Sequence, residues 1–572
     1  MTDTSGGPRG RHWAAWGLGL ALLAPTAVIK GDNWGHGRSA RARNMAQGKG
    51  SAVMAVLVRF RHVPGAAERS LVQGLGGNER RRLSAASRWL SVRVPANRVA
   101  ALADHNSVDN VVVDEPVMTS MDIAREAADE PVMPAPETAL RGAGVTIAMV
   151  DSGVALHPDI QTLTAVVDAV GQPTPLAAPP DTSVDPYGHG THVAGIMVGN
   201  GSHSEGRLAG VAPEASLVSV RVLDELGRGQ ASDVLAGLQW VGEHKTEYGI
   251  RVVNLSLGHP IVESASVDPL VEAVDALWDA GVVVVCSAGN RGRSGHVTIT
   301  SPCNSRKVIT VGATNHRGTG PIDDDTIATY SSRGPTTFDL VAKPDLVAPG
   351  NRIVSLRSAG SLMDTLLPDR RVAADPANPA LQEYFEMSGT SMASPIVAAT
   401  AALMLEQDPS LNPGTVKARL MMSARKAHFG DPLLSGAGYL DILGALRATW
   451  SATDAPSPRA LPDVNGGWIS FENTATLWGD DAFSLRVLWG NSVAWSDPNA
   501  YLEPLLQTNG EMWPPEGNGG NGASTSEVWP NSEVWPESEV WPDSPVWSPA
   551  LTEPEQFGPV LTEALASGFR DP

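Results

Sequence analysis

Three side chains of this 572-residue chain could together perform nucleophilic chemistry. Asp151 ends the apolar run "VTIAMV" and opens "DSGVALHPDI". His189 stands between two glycines in "DPYGHGTHVAGIM", and three serines, Ser388, Ser391 and Ser394, lie in "SGTSMASP", just ahead of "IVAATAALMLEQ". A carboxylate can hold an imidazole in one tautomer, the imidazole can take a hydroxyl proton, and the freed oxygen can attack a carbonyl carbon. Glycine lies within each of these stretches, which lets backbone approach a substrate with no Cβ between them. One of these hydroxyls could sit at the start of a buried helix, where free N–H groups and the helix dipole favour a developing negative charge. The bland alternative is that the three serines merely cap that helix. Pro395 fits a first turn, which has no N–H bond to lose.

Such groups need a scaffold. From Gly142 to Trp450 buried strands ("VTIAMV", "LVSVRVL", "RVVNLSL", "GVVVVCSA", "VITVGA") alternate with helical patterns ("HVAGIMV", "ASDVLAGLQWVGEH", "DPLVEAVDALWDA"). Continuous apolar strands separated by helices predict a parallel sheet covered on both faces, an α/β fold with its functional groups at the C-terminal strand ends. Ahead of it, residues 52–118 show the order β-α-β-β-α-β of a small ferredoxin-like α+β domain, with the extra strand expected near Arg82–Ala86. A stretch rich in Asp, Glu, Met and Pro at 119–137 reads as an exposed linker.

Beyond 450 the character changes. Residues 451–572 carry 3 Lys+Arg against 18 Asp+Glu and nine of the 16 tryptophans, and 526–549 repeat as "SEVWPN SEVWPE SEVWPD SPVWSP". A six-residue period with Pro in most copies suits an extended course, so this segment is expected to be an irregular tail. An aromatic array for a surface or polymer, and packing back onto the preceding domain, are the alternatives. Residues 1–118 carry 16 basic against 8 acidic groups, while the whole chain has a net charge of −20. The acidic total argues against nucleic acid as the main partner, and the asymmetry suggests separately functioning segments. Arg9, Arg11 and His12 precede "WAAWGLGLALLAPTAV", too short for a membrane span and right for an export signal over 1–28, followed by a linker at 29–51. A retained anchor and a tail without targeting function are the alternatives there, and no stable membrane insertion is expected of the rest. Cys286 and Cys303 are the two cysteines, so no disulfide framework holds the fold. No Cys/His cluster has zinc spacing and no H-E-x-x-H occurs, so no metal ligand is assigned.

Taken together and in order, "MVDSGV", "DPYGHGTHVAG" and "MSGTSMASP" resemble the three catalytic blocks of the subtilisin-like serine peptidases, the subtilase family. "GVAPEASLVSVRVLDELGRG", "NLSLG", "SAGN", "SSRGP" and "KPDLVAPG" resemble the blocks between them, so the resemblance covers about 140–450. It implies a peptidase domain at 138–450 with Ser391 as nucleophile, His189 as general base and acid, and Asp151 holding the imidazole. Asn290 of "SAGN" would supply an oxyanion donor beside the Ser391 N–H. Ser256, Leu257 and Gly258 would form one wall of a cleft in which a substrate adds as a strand, with Ala288 and Gly289 at the S1 pocket. The 52–118 domain is similar to the inhibitory propeptides of such enzymes, with a maturation site in 119–137. His192, His157 and Asp159 are read as structural. The family match places both cysteines near the base of the S1 pocket, as a disulfide or as two buried thiols. Calcium is possible and unassigned, with no other cofactor; the loop "VGNGSHSEGRLAG" is not carboxylate-rich as a strong site would be, and "PIDDDTIATY" reads as a solvated charge run. The expectation is therefore a secreted or envelope-associated endopeptidase made as a zymogen, with protein or peptide substrates and its own propeptide as a partner in cis. A surface-binding protein with a Trp-rich tail and a vestigial peptidase domain is the alternative. An esterase of the α/β-hydrolase type is disfavoured, because no G-x-S-x-G surrounds Ser391.

Overall fold

The computed structural model describes residues 39–119 and 140–489, apart from Arg82, Pro173, 318–321, 427–430 and 463–468. The chain divides into two compact units, 1–512 and 513–572, and every described residue lies in the first. The export signal at 1–28, nearly all of the 119–137 linker and the repeats at 526–549 lie outside the described residues. Among the described residues, no helix is long and apolar enough to cross a membrane.

The small domain holds α1 (Ala40–Ala46), β1 (Val53–Phe60), α2 (Ala66–Gly74), β2 (Asn78–Arg81), β3 (Trp89–Pro95), α3 (Val99–Ala103) and β4 (Val108–Val113). Its antiparallel sheet has the order β2-β3-β1-β4, the ferredoxin-like arrangement. Val56, Val58, Phe60, Val92, Val94 and Val111 fill one face. The extra strand is β2, not Arg82–Ala86. Its sequence, "NERR", has no apolar period; pairing with β3 makes it a strand, and its arginines reach the neighbouring domain instead of a core. The linker reading of 29–51 also needs correcting over 40–46, because α1 buries Ala42 and Ala46 in this domain's core.

The large domain is built on a nine-stranded sheet. Its strands are β6 (Thr146–Asp151), β7 (Leu163–Asp168), β8 (Leu176–Ala178), β9 (Ser216–Arg221), β11 (Ile250–Leu255), β13 (Val283–Ser287), β15 (Ile309–Asn315), β16 (Thr326–Ile327) and β17 (Leu346–Pro349). Seven run parallel in the order β7-β9-β6-β11-β13-β15-β17; β8 and β16 are antiparallel additions. The helices that matter to the site are α4 (His189–Val198), α5 (Ala231–His244), α6 (Pro269–Asp279) and α8 (Thr390–Gln407); a shorter α7 spans Leu362–Leu366. Every residue of α4 and nearly all of α8 are buried, so these are core helices with no polar face. Short strands β5 (Pro116–Thr119), β10 (Arg228–Gln230), β12 (Leu257–Pro260) and β14 (Thr300–Ser301) form a second sheet, β10-β5-β12-β14, beside the main one. A third joins β18 (Ile353–Leu356), β19 (Arg371–Val372) and β20 (Tyr384–Met387).

The reading of 451–572 as an irregular tail does not hold over its described part. Trp478, Phe483, Leu488 and Trp489 are buried with Ala418, Met421 and Leu433 of the large domain, and Trp478 Nε1 donates to the Pro456 carbonyl (2.9 Å). Burying two indoles and a phenyl ring is worth several kcal/mol, enough to fix this stretch on the domain.

Candidate active site

Asp151 is the last residue of β6, which lies between β9 and β11 in the middle of the sheet. The parallel register pairs Val150 with Leu255, so the chain leaving β11 at Ser256 starts beside Asp151. His189 is the first residue of α4, entered through Gly188 at φ 103. That left-handed turn, with Ser361 where a Cβ would stand, requires glycine. Ser391 is the second residue of α8, which packs against α4 and against the strands β11, β13 and β15. The three predicted side chains thus come from the C-terminal end of a central strand and the N-termini of two packed core helices.

His189 Nδ1 lies 2.8 Å from Asp151 Oδ1, and both side chains are fully buried. A carboxylate only accepts, so Nδ1 carries a proton and faces Asp151. Nε2 is buried and has no partner among the described residues. The Ser391 hydroxyl donates to the Ser256 carbonyl (3.0 Å), so the hydrogen-bonded chain expected from Asp151 to Ser391 is closed at its first link and open at its second. Such bonds are often long or poorly aligned without substrate and tighten only around it.

Asn290 completes the arrangement. Its Oδ1 accepts from Thr390 N (3.0 Å) and from Thr390 Oγ1 (2.9 Å), which fixes the amide's orientation and leaves Nδ2 buried without a partner among the described residues. A buried amide N–H with no acceptor costs free energy and is uncommon, which sets this group apart from an ordinary structural amide. Behind Ser391, Ser256 Oγ donates to the Ser391 carbonyl (3.1 Å), lies 3.0 Å from Ser394 Oγ and accepts from Asn254 Nδ2 (3.0 Å). Ser394 thus belongs to a buried network.

The remaining predicted residues form walls. β5 pairs antiparallel with β12, Thr119 opposite Leu257 and Met118 opposite Gly258, and on its other edge with β10. A segment of the chain itself is therefore the strand added beside Leu257 and Gly258, with Val117 fully buried. Ala288 is bonded on both sides, to Val311 and Thr300, and Gly289 approaches Thr300 so closely that a Cβ would stand 2.8 Å from its methyl group.

Sequence reasoning missed the joint that sets the angle between Asp151 and His189. Asp185, wholly buried, accepts from Gly188 N (2.8 Å), Thr191 N (2.8 Å), Thr191 Oγ1 (2.7 Å) and Ser152 Oγ (2.9 Å). Ser152 in turn gives its N–H to Asp151 and takes that of Gly190. The signal was present as the Asp that opens "DPYGHG", but an Asp before a glycine is usually a turn residue. Burial pushes the Asp185 carboxyl above its ordinary range, and the four donors oppose that.

His192 is structural, as expected: Nε2 faces the carbonyls of Ile353 (3.0 Å) and Phe385 (2.9 Å), and burial, with His189 nearby, lowers its pKa to about 3. Cys286 and Cys303 are buried free thiols, which settles the disulfide alternative; burial and the neighbouring Cys286 hold the Cys303 thiol well above its ordinary value. Asp159, which bonds the loop considered for calcium, already accepts from Ser202 Oγ (2.6 Å), His203 N (3.0 Å) and Tyr384 Oη (2.5 Å). Those donors would have to leave before a hard cation could use its oxygens, so Asp159 is not a ready calcium ligand.

The small domain covers α5 and α6 through charge. Asp114 caps α5 by accepting from Ser232 N (2.8 Å), and Arg80 bridges Asp114 (2.5 Å) and Ser232 (2.6 Å). Arg81 is buried against Asp233 and the Ala169 carbonyl, while Arg59 and Trp89 reach Glu272.

Comparison with known proteins agrees with this geometry. Residues 142–439 match the model of the subtilase family. The chain is 39% identical to "Serine protease AprX" of Bacillus subtilis (strain 168) over 353 residues, which is 61% of this chain and 76% of that protein. It is 33% identical to "Subtilisin DY" of Bacillus licheniformis over 307 residues, 53% of this chain and 92% of that one. Among solved structures it resembles fervidolysin of Fervidobacterium pennivorans, a keratinolytic enzyme related to subtilisin, with a TM-score of 0.55 and 20% identity. That alignment covers 73% of this chain and 65% of fervidolysin, and carries the fold alone. With its sheet, its helix-borne site and these relatives in agreement, this chain belongs to the subtilase family and is a subtilisin-like serine peptidase.

Proposed function

We propose that the chain is an exported serine endopeptidase made as an inactive precursor, with Asp151, His189, Ser391 and Asn290 as its catalytic groups. Ser391 Oγ attacks the scissile carbonyl carbon while His189 Nε2 takes its proton. The tetrahedral oxyanion accepts hydrogen bonds from Ser391 N–H and Asn290 Nδ2. His189 then gives the proton to the leaving amine as the C–N bond breaks, and water hydrolyses the acyl-enzyme by the same steps. Asp151 keeps Nδ1 protonated and stabilises the imidazolium. The observation that carries this reading is the buried Asp151–His189 bond of 2.8 Å with Nε2 left open.

Substrate binds as a strand along Ser256, Leu257 and Gly258, with its P1 side chain toward Ala288 and Gly289. The antiparallel pairing of β5 with β12 supports this, and also supports 52–118 as an inhibitory propeptide whose trailing segment blocks the cleft. Cleavage in 119–137, in the first bonds after Thr119, releases the mature enzyme. The basic, apolar segment at 1–28 supports export to the exterior or the envelope. Intact mass and N-terminal sequencing of the purified full chain test the precursor; casein hydrolysis tests the chemistry. Wild type is expected to lose the segment up to 119–137 and to cleave casein, and Ser391→Ala to do neither. An alanine variant that matures and digests casein like wild type overturns the reading.

A further inference from the structure

Three side chains outside the catalytic machinery stand together. His157 is in the loop after β6, His203 in the turn Ser202–Ser204 after α4, and Glu383 immediately before β20. Each offers a ligand atom, and these atoms all lie within 4.8 Å of one another. His157 Nδ1 accepts the Asp159 N–H (3.1 Å), which turns Nε2 toward Glu383, 3.3 Å from its carbonyl oxygen and 3.7 Å from Oε2. The two imidazoles meet edge-on with centroids 5.8 Å apart. His203 Nδ1 is buried and has no hydrogen-bond partner among the described residues. A buried ring nitrogen without a partner calls for an explanation, and an electron-pair acceptor beside it would provide one.

We infer that His157, His203 and Glu383 form a site for a divalent transition metal of zinc type, which staples together the segments leading from Asp151, from His189 and into Ser391. Two imidazoles and one carboxylate suit zinc, nickel or copper, whereas calcium needs six to eight oxygens. Zinc–ligand bonds near 2.1 Å place tetrahedral ligands about 3.4 Å apart. The His157–Glu383 pair at 3.7 Å is close to that spacing, and the widest pair, within 4.8 Å, must close by up to about 1.4 Å. The half-exposed Glu383 leaves one side open, where water completes the shell. Coordination by His157 Nε2 moves that ring's proton to Nδ1 and gives up the Asp159 amide contact. The affinity is therefore lower than in sites whose second nitrogen faces an acceptor, and a chelator removes the ion readily.

The topology gives the ion its consequence. The loop from Asp151 runs to His157, α4 carries the chain from His189 towards His203, and β20 carries it from Glu383 to the start of α8 at Ser391. An ion held here touches none of the reacting groups and restrains the routes to all three, so it acts on stability.

The test uses the full chain as Ser391→Ala, without a histidine tag, chelated and dialysed. Zinc chloride or calcium chloride is then added, and thermal unfolding is read beside cobalt(II) absorption. Zinc is expected to raise Tm and cobalt to give the visible bands of a nitrogen- and oxygen-ligated ion. His203→Ala and Glu383→Gln are each expected to weaken zinc binding at least about tenfold while unfolding cooperatively without metal. The inference is overturned if zinc leaves Tm unchanged, if calcium gives a shift that is lost in both variants, or if the zinc shift survives in both variants. Because Ser391 is absent throughout, these outcomes are independent of whether the triad assignment holds.

Discussion

Arg81 offers a quantitative test of how the small domain is held on the large one. Its guanidinium is 2% exposed and bonds the Asp233 carboxylate and the Ala169 carbonyl (2.6 Å). Truncation to alanine leaves Asp233 buried with the Gln230 N–H (3.2 Å) and without its cation. Breaking one side of a buried ion pair typically costs about 3–5 kcal/mol. Asp233 has one way to reduce that cost, which is to take up a proton, since burial already pushes its carboxyl up and Arg81 is the main force opposing it. In Arg81→Ala the folded value therefore lies well above the unfolded value of about 3.9. The folded state then binds more protons than the unfolded one between those two values. The deficit is full above the raised value and shrinks as pH falls through it. Urea unfolding in a Ser391→Ala background at pH 8 and pH 5 should show a loss of a few kcal/mol at pH 8 and a clearly smaller one at pH 5. Replacing both partners by apolar residues, Arg81→Met with Asp233→Leu, should recover most of the loss, because no uncompensated charge remains. In the active chain the single variant should shed its N-terminal domain faster than wild type. A deficit below about 1 kcal/mol at pH 8, or one equal at both pH values, would show that the pair does not latch the domains.

Two further outcomes follow from the site. Asn290→Ala removes the donor that Thr390 holds in place, and kcat for a peptide substrate should fall by about 10²–10³, the factor found for such a donor in a subtilisin, with little change in KM; an unchanged kcat would remove Asn290 from the oxyanion hole. His192 has a folded pKa of about 3 against an ordinary 6.5, so it stabilises the neutral-pH fold and that contribution is lost as pH falls from about 6.5 toward 3, at up to ~1.4 kcal/mol per pH unit. His192→Gln should flatten the acid limb of a urea-midpoint profile measured between pH 7 and pH 4, and an unaltered slope would refute the assignment.

What could be seen in the sequence is governed by range. Asp151, His189, Ser391 and Asn290 sit in short blocks where glycines, an apolar strand or a helix start mark the local backbone, and each falls where its block put it. α5 is the same span in sequence and structure, Ala231–His244, because its apolar spacing is regular. What stayed hidden depends on partners far along the chain. β2 is four polar and charged residues whose strand state comes from β3, and β7 and β17 lack a run long or apolar enough to stand out. The aromatic residues at 478–489 looked like the start of a low-complexity tail, because the surface that buries them is supplied by residues 418–433. His157, His203 and Glu383 follow no ligand spacing at all, and only the folded loops bring them within reach of one another.

The same distinction explains why the proposed triad needs more than its three members. Motifs deliver Asp151 to a strand end and His189 to a helix start, but neither motif determines the angle between strand and helix. Asp185 and Ser152 do. One carboxylate gathers two N–H groups and a hydroxyl from the entry to α4 and a second hydroxyl from the residue after Asp151. Burying a carboxylate is unfavourable unless its oxygens are fully bonded, and here each of the four donors comes from the two segments being joined. Moving α4 relative to β6 would break these bonds in a place that water does not reach. The imidazole is thus held in position before any substrate arrives, and binding energy need not be spent on aligning it.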